Sequence, residues 1–281
     1  MKRNLAFALV PLVLVCGCKK ESVNVYLIMG QSNASGCSPC NFLEESNPDI
    51  YKKYSKGNKK VQISWDVIFH AQGEFEPTKF GQADGLECFG PEIGIAEVLS
   101  SHFNKSYIVK GTLSGSCLQT NYVDKDGNKL VYYNHFVSFI KDKVEKLEKM
   151  GKIPRICGVF WMQGESDSTD ELCDTYGVAT QYFRNYLLED FSPWINDHFN
   201  FVDAYISTKS IFWKNPGVVN AGKQYVADNN PNSYCIKTNG EDETSIDLSL
   251  KCQSDEGDDA AHYDSKSMLL LGKTAGEYLI K

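Results

Sequence analysis

Three short segments hold residues able to do chemistry together. Near the start, Gly30-Gln31-Ser32-Asn33-Ala34-Ser35-Gly36 follows an apolar run. A serine at a tight turn after a strand lifts its hydroxyl above the sheet, and its own backbone N–H can face a developing oxyanion. In mid-chain, Trp161-Met162-Gln163-Gly164-Glu165-Ser166-Asp167 closes another apolar run with a glutamine, a glycine and two carboxylates. The Gln163 amide can donate to an oxyanion, and Glu165 or Asp167 can hold a histidine or a substrate hydroxyl. Near the C-terminus comes Asp258-Asp259-Ala260-Ala261-His262. An aspartate three residues before a histidine on a turn can reach the imidazole Nδ1–H, fix the tautomer and stabilise the imidazolium. The other histidines, His70, His102, His135 and His198, lack comparable polar neighbours in sequence. Each segment alone also reads as a helix cap or a solvated turn. Together they supply a nucleophile, a base, an orienting acid and oxyanion donors, the parts of an acyl-transfer site.

Such a site needs elements that bring residues far apart in sequence to one place. Apolar runs predict strands at Val23–Met29, Tyr107–Lys110, Ile156–Met162, Phe201–Ile206 and Ser233–Lys237. Helix-period segments alternate with them at Pro91–Phe103, His135–Met150, Tyr176–Leu188, Val218–Ala227 and Ser265–Ile280. Alternation of this kind predicts a parallel sheet covered by helices on both faces. Ligands then bind beyond the carboxyl ends of the strands, where two of the three segments fall. The stretches Ser35–Gly90 and Ser116–Asn134 show no clear period and read as long functional loops.

The whole chain of 281 residues, with 42% hydrophobic and 23% charged residues and a net charge of -7, suits one large α/β domain or two small ones, and no Pro/Gly/Ser-rich linker divides it. The acidic balance and the lack of a basic stripe argue against nucleic acid as a partner. Lys2 and Arg3 followed by apolar Leu5–Val15 read as a secretory leader, too short to span a bilayer. Residues 1–18 are thus expected to be a leader, 19–22 a short tether and 23–281 the folded domain. Eight cysteines lie beyond the leader: Cys37, Cys40, Cys88, Cys117, Cys157, Cys173, Cys235 and Cys252. Export makes disulfides the expectation, with Cys235–Cys252 the best single pairing. Cys37-x-x-Cys40 lacks a second such pair or paired histidines, so it does not read as a zinc site.

The three catalytic segments resemble the signature blocks of the SGNH hydrolases, and within them the sialate O-acetylesterase and acetyl xylan esterase group of carbohydrate esterases. Gly90-Pro91-Glu92-Ile93-Gly94 and Lys110–Leu118 resemble further blocks of that group, with Ser114-Gly115 where the family often has two glycines. The resemblance implies a three-layer α/β/α, flavodoxin-like fold built on a five-stranded parallel sheet. It implies a metal-independent mechanism without cofactor, in which His262, oriented by Asp259, deprotonates Ser32. The backbone N–H groups of Ser32 and Gly115 and the side chain of Gln163 would hold the oxyanion. Glu165 stands as a substrate contact, a brace, or an alternative partner for His262. Val15-Cys16-Gly17-Cys18 resembles a bacterial lipobox, which implies lipid on Cys18 and an exported protein anchored on the periplasmic side or the cell surface.

The expected substrate is an acetylated carbohydrate such as a sialic acid or a xylan-type glycan. Two other readings stay open. A short-chain lipase or thioesterase is suggested by Gly30-Gln31-Ser32-Asn33-Ala34, one residue short of the Gly-x-Ser-x-Gly elbow, though that elbow follows several strands and here only one precedes it. A catalytically silent glycan-binding lipoprotein would use the chain's 15 tyrosines and 15 phenylalanines as sugar platforms.

Overall fold

The structure is a computed structural model and describes residues 20–68, 70–254 and 257–281. The leader and Cys18 lie outside the described residues. The elements run β1 (Glu21–Gly30), α1 (Ser32–Ser35), β2 (Ser38–Pro39), α2 (Phe42–Ser46), α3 (Pro48–Lys56), β3 (Asn58–Asp66), β4 (Ala71–Thr78), β5 (Cys88–Phe89) and α4 (Glu92–His102). They continue with β6 (Ser106–Thr112), α5 (Val131–Lys149), β7 (Lys152–Met162), α6 (Tyr176–Asp190), β8 (Ile195–Ala204), α7 (Pro216–Asn229), β9 (Ser233–Ile236), β10 (Cys252–Ser254), β11 (Gly257–Asp259) and α8 (Ser265–Leu279).

Seven strands form one sheet in the order β4-β3-β6-β1-β7-β8-β9. The five strands expected from sequence are β6-β1-β7-β8-β9, all parallel, and their spatial order is 2-1-3-4-5 in chain order. That is the flavodoxin-like winding, whose switch point falls between β1 and β7. The expected strand count needs correction. β3 joins β6 in parallel and β4 closes the edge antiparallel to β3, both from the stretch read as a loop. β1 also starts at Glu21, so half of the expected tether is already sheet.

The central strands are largely apolar in the stretches where both faces are covered. All seven residues of β6 are buried, and so are Tyr26–Gly30 of β1 and Ile156–Met162 of β7. One face carries α4 and α8, whose backbones touch: a Cβ on Gly94 would meet Lys273 N at 2.4 Å, and one on Gly272 would meet Pro91 O at 2.4 Å. The other carries α5, α6 and α7, with Trp161 of β7 against Phe183 of α6 at 4.2 Å between ring centroids. Lys110 is the charged exception in β6. Its ammonium, fully buried, donates to Glu92 Oε2 (2.8 Å), Ser35 O (2.6 Å) and Gln82 O (2.8 Å), which exhausts its three donors.

No disulfide forms among the described residues, so the expected Cys235–Cys252 bridge is corrected. Cys235 sits on β9 opposite Asp203 of β8, whereas Cys252 on β10 lies against the Cys37 carbonyl at 3.3 Å, close to the nucleophile turn. The two cysteines belong to different parts of the fold.

Candidate active site

The turn after β1 is fastened on both sides. Gln31 N donates to Met162 O of β7 (2.9 Å), and Leu113 N and the Tyr122 hydroxyl both donate to Gly30 O (3.0 Å each). Position 30 has to be glycine. Its φ is +143°, and a Cβ there would lie 2.0 Å from Met162 O. The single turn of α1 follows at once, with Ser32 as its first residue, partly exposed, while Gln31 and Asn33 on either side are buried.

The base arrives from the other end of the chain. His262 lies between β11 and α8, and its Nδ1 is hydrogen-bonded to Asp259 Oδ2. Asp259 Oδ1 accepts from Ala261 N at 2.6 Å, which fixes the turn. Partial burial works against the Asp259 charge. The bonds from His262 and the Ala261 N–H outweigh it, and the carboxyl titrates below the usual aspartate range. Asp264 caps α8 through Ser267 N at 2.7 Å, so the base sits directly before a well-started helix. Among the described residues Asp259, and not Glu165, is the carboxylate on the imidazole.

Asn33 brings serine and histidine together. Its Nδ2 donates to Ala261 O at 3.3 Å, and its Oδ1 accepts from Tyr263 N at 3.3 Å. The residue after the nucleophile thus grips both neighbours of His262. The same Nδ2 donates to Glu165 Oε1 at 2.9 Å. Glu165 is therefore a brace beneath the Ser32 turn. Burial raises its carboxyl above the ordinary glutamate range, the Asn33 bond only partly offsets this, and its Oε2 has no hydrogen-bond partner among the described residues. Among the described residues no hydrogen bond joins Ser32 Oγ to His262, a separation common before substrate tightens a site.

Gln163 departs from expectation. Its amide is fully buried and turned inward, with Nε2 donating to Asp167 Oδ2 (2.6 Å), Ser116 O (3.0 Å) and Gln31 Oε1 (3.1 Å). In this structure the two N–H groups are shared among protein acceptors, so Gln163 is placed as a brace, and the expected donation to an oxyanion is not seen in its geometry. It fastens the Gly115 loop to the nucleophile turn. Asp167 completes the fastening by accepting from Leu118 N (2.7 Å) and Gln119 N (3.2 Å) at the start of a wide helical turn, Leu118–Tyr122. Burial raises the Asp167 carboxyl, with the Gln163 and backbone bonds opposing. Gly115 itself is exposed, with φ +71° and no atom within 4 Å of an added Cβ, so its backbone borders open space.

Asn33 was thus the site residue least visible in sequence. Asn33 read as part of a turn, and its only signal was adjacency to Ser32. Among the described residues no group of three or more His, Cys, Asp or Glu is arranged to hold a metal ion.

Comparison with family profiles matches residues 22–281 to the family described as carbohydrate esterase, sialic acid-specific acetylesterase. The chain belongs to this family. Comparison with curated protein sequences returned no match. Among solved structures, an Arabidopsis thaliana protein superposes with a TM-score of 0.65 at 17% identity, covering 92% of this chain and 99% of that one. The protein NanS superposes at 0.64 with 14% identity, covering 93% and 98%. A carbohydrate acetylesterase from Xanthomonas citri superposes at 0.55 with 13% identity, covering 90% of this chain and 54% of that one. At these identities the likeness establishes the fold, in which every block of the candidate site lies at a strand end or beside one.

Proposed function

We propose that the protein hydrolyses acetyl esters on carbohydrate through an acetyl-enzyme on Ser32. The observation that carries this reading is the Asn33 clamp, which ties both flanks of His262 to the residue next to Ser32 while Asp259 holds the far side of the imidazole. His262 Nε2 takes the Ser32 proton as Oγ bonds to the acetyl carbonyl carbon. The oxyanion is received by the backbone N–H groups of Ser32 and Gly115. The intermediate collapses by breaking the bond to the sugar oxygen, which leaves with the proton from His262. Water, deprotonated by His262, then attacks the acetyl group, and Ser32 Oγ regains its proton as acetate departs. Asp259, charged at neutral pH, stabilises the imidazolium formed in both halves.

Acetate release from acetylated xylo-oligosaccharides, acetylated sialic acids and a simple aryl acetate tests the reading, with wild type beside Ser32→Ala. Ser32→Ala, His262→Ala and the double variant should all fall to the same residual rate, because these groups act as a unit. Multiplicative losses in the double variant, or wild-type activity in Ser32→Ala, would remove the acyl-enzyme.

We also propose that Cys18 carries lipid and that the enzyme works outside the cytoplasm on a membrane. β1 begins at Glu21, so the sheet would then sit close to its anchor. Cys18→Ser in the full chain should move the protein from the membrane to the soluble fraction of its host. Retention of that variant on the membrane would reject the anchor.

A further inference from the structure

Beside the candidate site lies a cavity of about 460 Å³ that the proposed reaction does not use. One wall is Glu165 and Ser166, and these bond to the residues on either side of Ser32: Asn33 Nδ2 to Glu165 Oε1 at 2.9 Å, and Ser166 N to Gln31 Oε1 at 3.3 Å. The cavity therefore opens against the flank of the nucleophile turn.

Part of the lining is aromatic. Phe212 and Trp213 line it, on the loop that follows β8, with ring centroids 6.0 Å apart. Phe212 is 60% exposed and the neighbouring Ile211 is 85% exposed. Apolar surface left in water beside a site, on a loop that is firmly held, is the mark of a binding face. The loop is held at both ends. Thr208 N donates to Asn239 Oδ1 at 3.0 Å, Phe212 N to Ser210 Oγ at 3.1 Å, and Asn215 N to Ser168 O at 2.9 Å. A second bond, Asn215 Nδ2 to Asp170 Oδ1 at 2.8 Å, fixes the loop to another lining residue. The rings are thus presented in advance, which lowers the ordering cost of binding.

The charge of the cavity selects among sugars. Lys214 is ion-paired with Asp170, and Glu171 adds a further negative charge to the lining. A carboxylate entering here would meet like charge, whereas the C–H face of a neutral pyranose would meet the electron-rich ring faces and its hydroxyls the polar rim. We infer that Phe212 and Trp213 form a subsite for a neutral pyranose of the acetylated glycan, on the Glu165–Ser166 side of Ser32. The inference rests on the carbohydrate esterase reading above and names the class of sugar that the enzyme holds next to the ester.

Binding to the inactive Ser32→Ala protein tests it without turnover. The ligands are unacetylated xylo-oligosaccharide and, in parallel, N-acetylneuraminic acid, followed by calorimetry and by indole fluorescence. Saturable binding of the neutral oligosaccharide is expected, tighter than that of N-acetylneuraminic acid. Phe212→Ala should weaken it about tenfold, the scale of one aromatic contact. Trp213→Phe should abolish the fluorescence change while the protein stays folded by near-ultraviolet circular dichroism. Absence of binding, binding untouched by both substitutions, or a preference for the anionic sugar would overturn the subsite. Aryl acetate turnover by wild type, compared with Ser32→Ala, separates the two claims. Turnover without oligosaccharide binding removes the subsite and leaves the esterase, while binding without turnover leaves the subsite and removes the esterase.

Discussion

Replacing Asn33 by alanine removes a side chain, on the nucleophile turn itself, that holds the base loop and Glu165 together. Three hydrogen bonds are lost, at 2.9, 3.3 and 3.3 Å, from a residue only 2% exposed. At about 1 kcal/mol for each, the stability cost is about 3 kcal/mol. For a domain of this size that lowers the melting temperature by about 6–12 °C. The catalytic cost should be larger than stability explains. With Tyr263 N and Ala261 O released, the His262 loop is held to Ser32 by fewer contacts, and a misplacement of about 1 Å costs about 10²-fold in kcat. The loss should fall on kcat and leave KM little changed, because Asn33 is buried and the base moves rather than the substrate. Asn200→Ala is the control. Asn200 is equally buried and donates to Tyr278 O (3.1 Å) and Leu279 O (3.3 Å) at the end of α8 remote from His262. It should lose comparable stability with kcat unchanged. Steady-state kinetics on an aryl acetate at 20 °C, below both transitions, make the comparison. Should Asn33→Ala lose no more kcat than Asn200→Ala, the clamp is a packing feature and the argument from it to catalysis is wrong.

Three further outcomes follow from the same geometry. Gln163→Ala should lower the melting temperature, since it leaves Asp167 and Ser116 O short of a donor at about 1–3 kcal/mol; a fall of about 10²–10³ in kcat with melting unchanged would return it to the oxyanion role. Glu165→Gln should remove a pH dependence of stability. The buried carboxyl titrates above its ordinary value, so the folded protein holds a proton the unfolded chain has lost, and wild-type stability falls as pH rises from the ordinary glutamate range through the raised pKa. Urea unfolding across that range should show the variant gaining on wild type as pH rises, and parallel curves would contradict it. Lys110→Met should cost about 3–5 kcal/mol by leaving Glu92 buried without its cation, and Lys110→Met with Glu92→Gln should recover part of that loss; equal loss in the single and paired variants would show the ion pair to be incidental.

The sheet was legible where parallel strands write themselves as continuous apolar runs. All five such runs became parallel strands, and their order is the flavodoxin-like one that the family resemblance implied. β3 and β4 were missed for a physical reason. They lie at the edge side of the sheet, β4 as the edge strand and β3 next to it, and their sequences Asn-Lys-Lys-Val-Gln-Ile-Ser-Trp-Asp and Ala-Gln-Gly-Glu-Phe-Glu-Pro-Thr break apolar residues with charge, and in β4 with a proline, so no continuous apolar run marks them. Composition therefore read them as loop. The disulfide expectation failed differently. It took compartment and cysteine count as its premises, and neither carries distance, while the fold puts Cys235 on β9 and Cys252 on β10 beside the nucleophile turn.

The site was legible in its residue types and only partly in their roles, and the difference follows from which way an amide points. For Ser32, Asp259 and His262 the residue types alone narrow the roles they are proposed to take. Gln163 and Asn33 carry the same functional group and can each brace or donate. Which one they do depends on their neighbours' lone pairs. Gln163 Nε2 faces three acceptors, Gln31 Oε1, Ser116 O and Asp167 Oδ2, supplied by three separated segments. Reversing the amide would set its oxygen against all three, which favours the orientation that braces the interior. Two of those acceptors also belong to segments that flank the reaction: Gln31 precedes Ser32 and Ser116 follows Gly115. The glutamine in the middle block therefore sets the distance between the two backbone N–H groups proposed to receive the oxyanion, and a substitution there acts on catalysis through the spacing of Ser32 and Gly115.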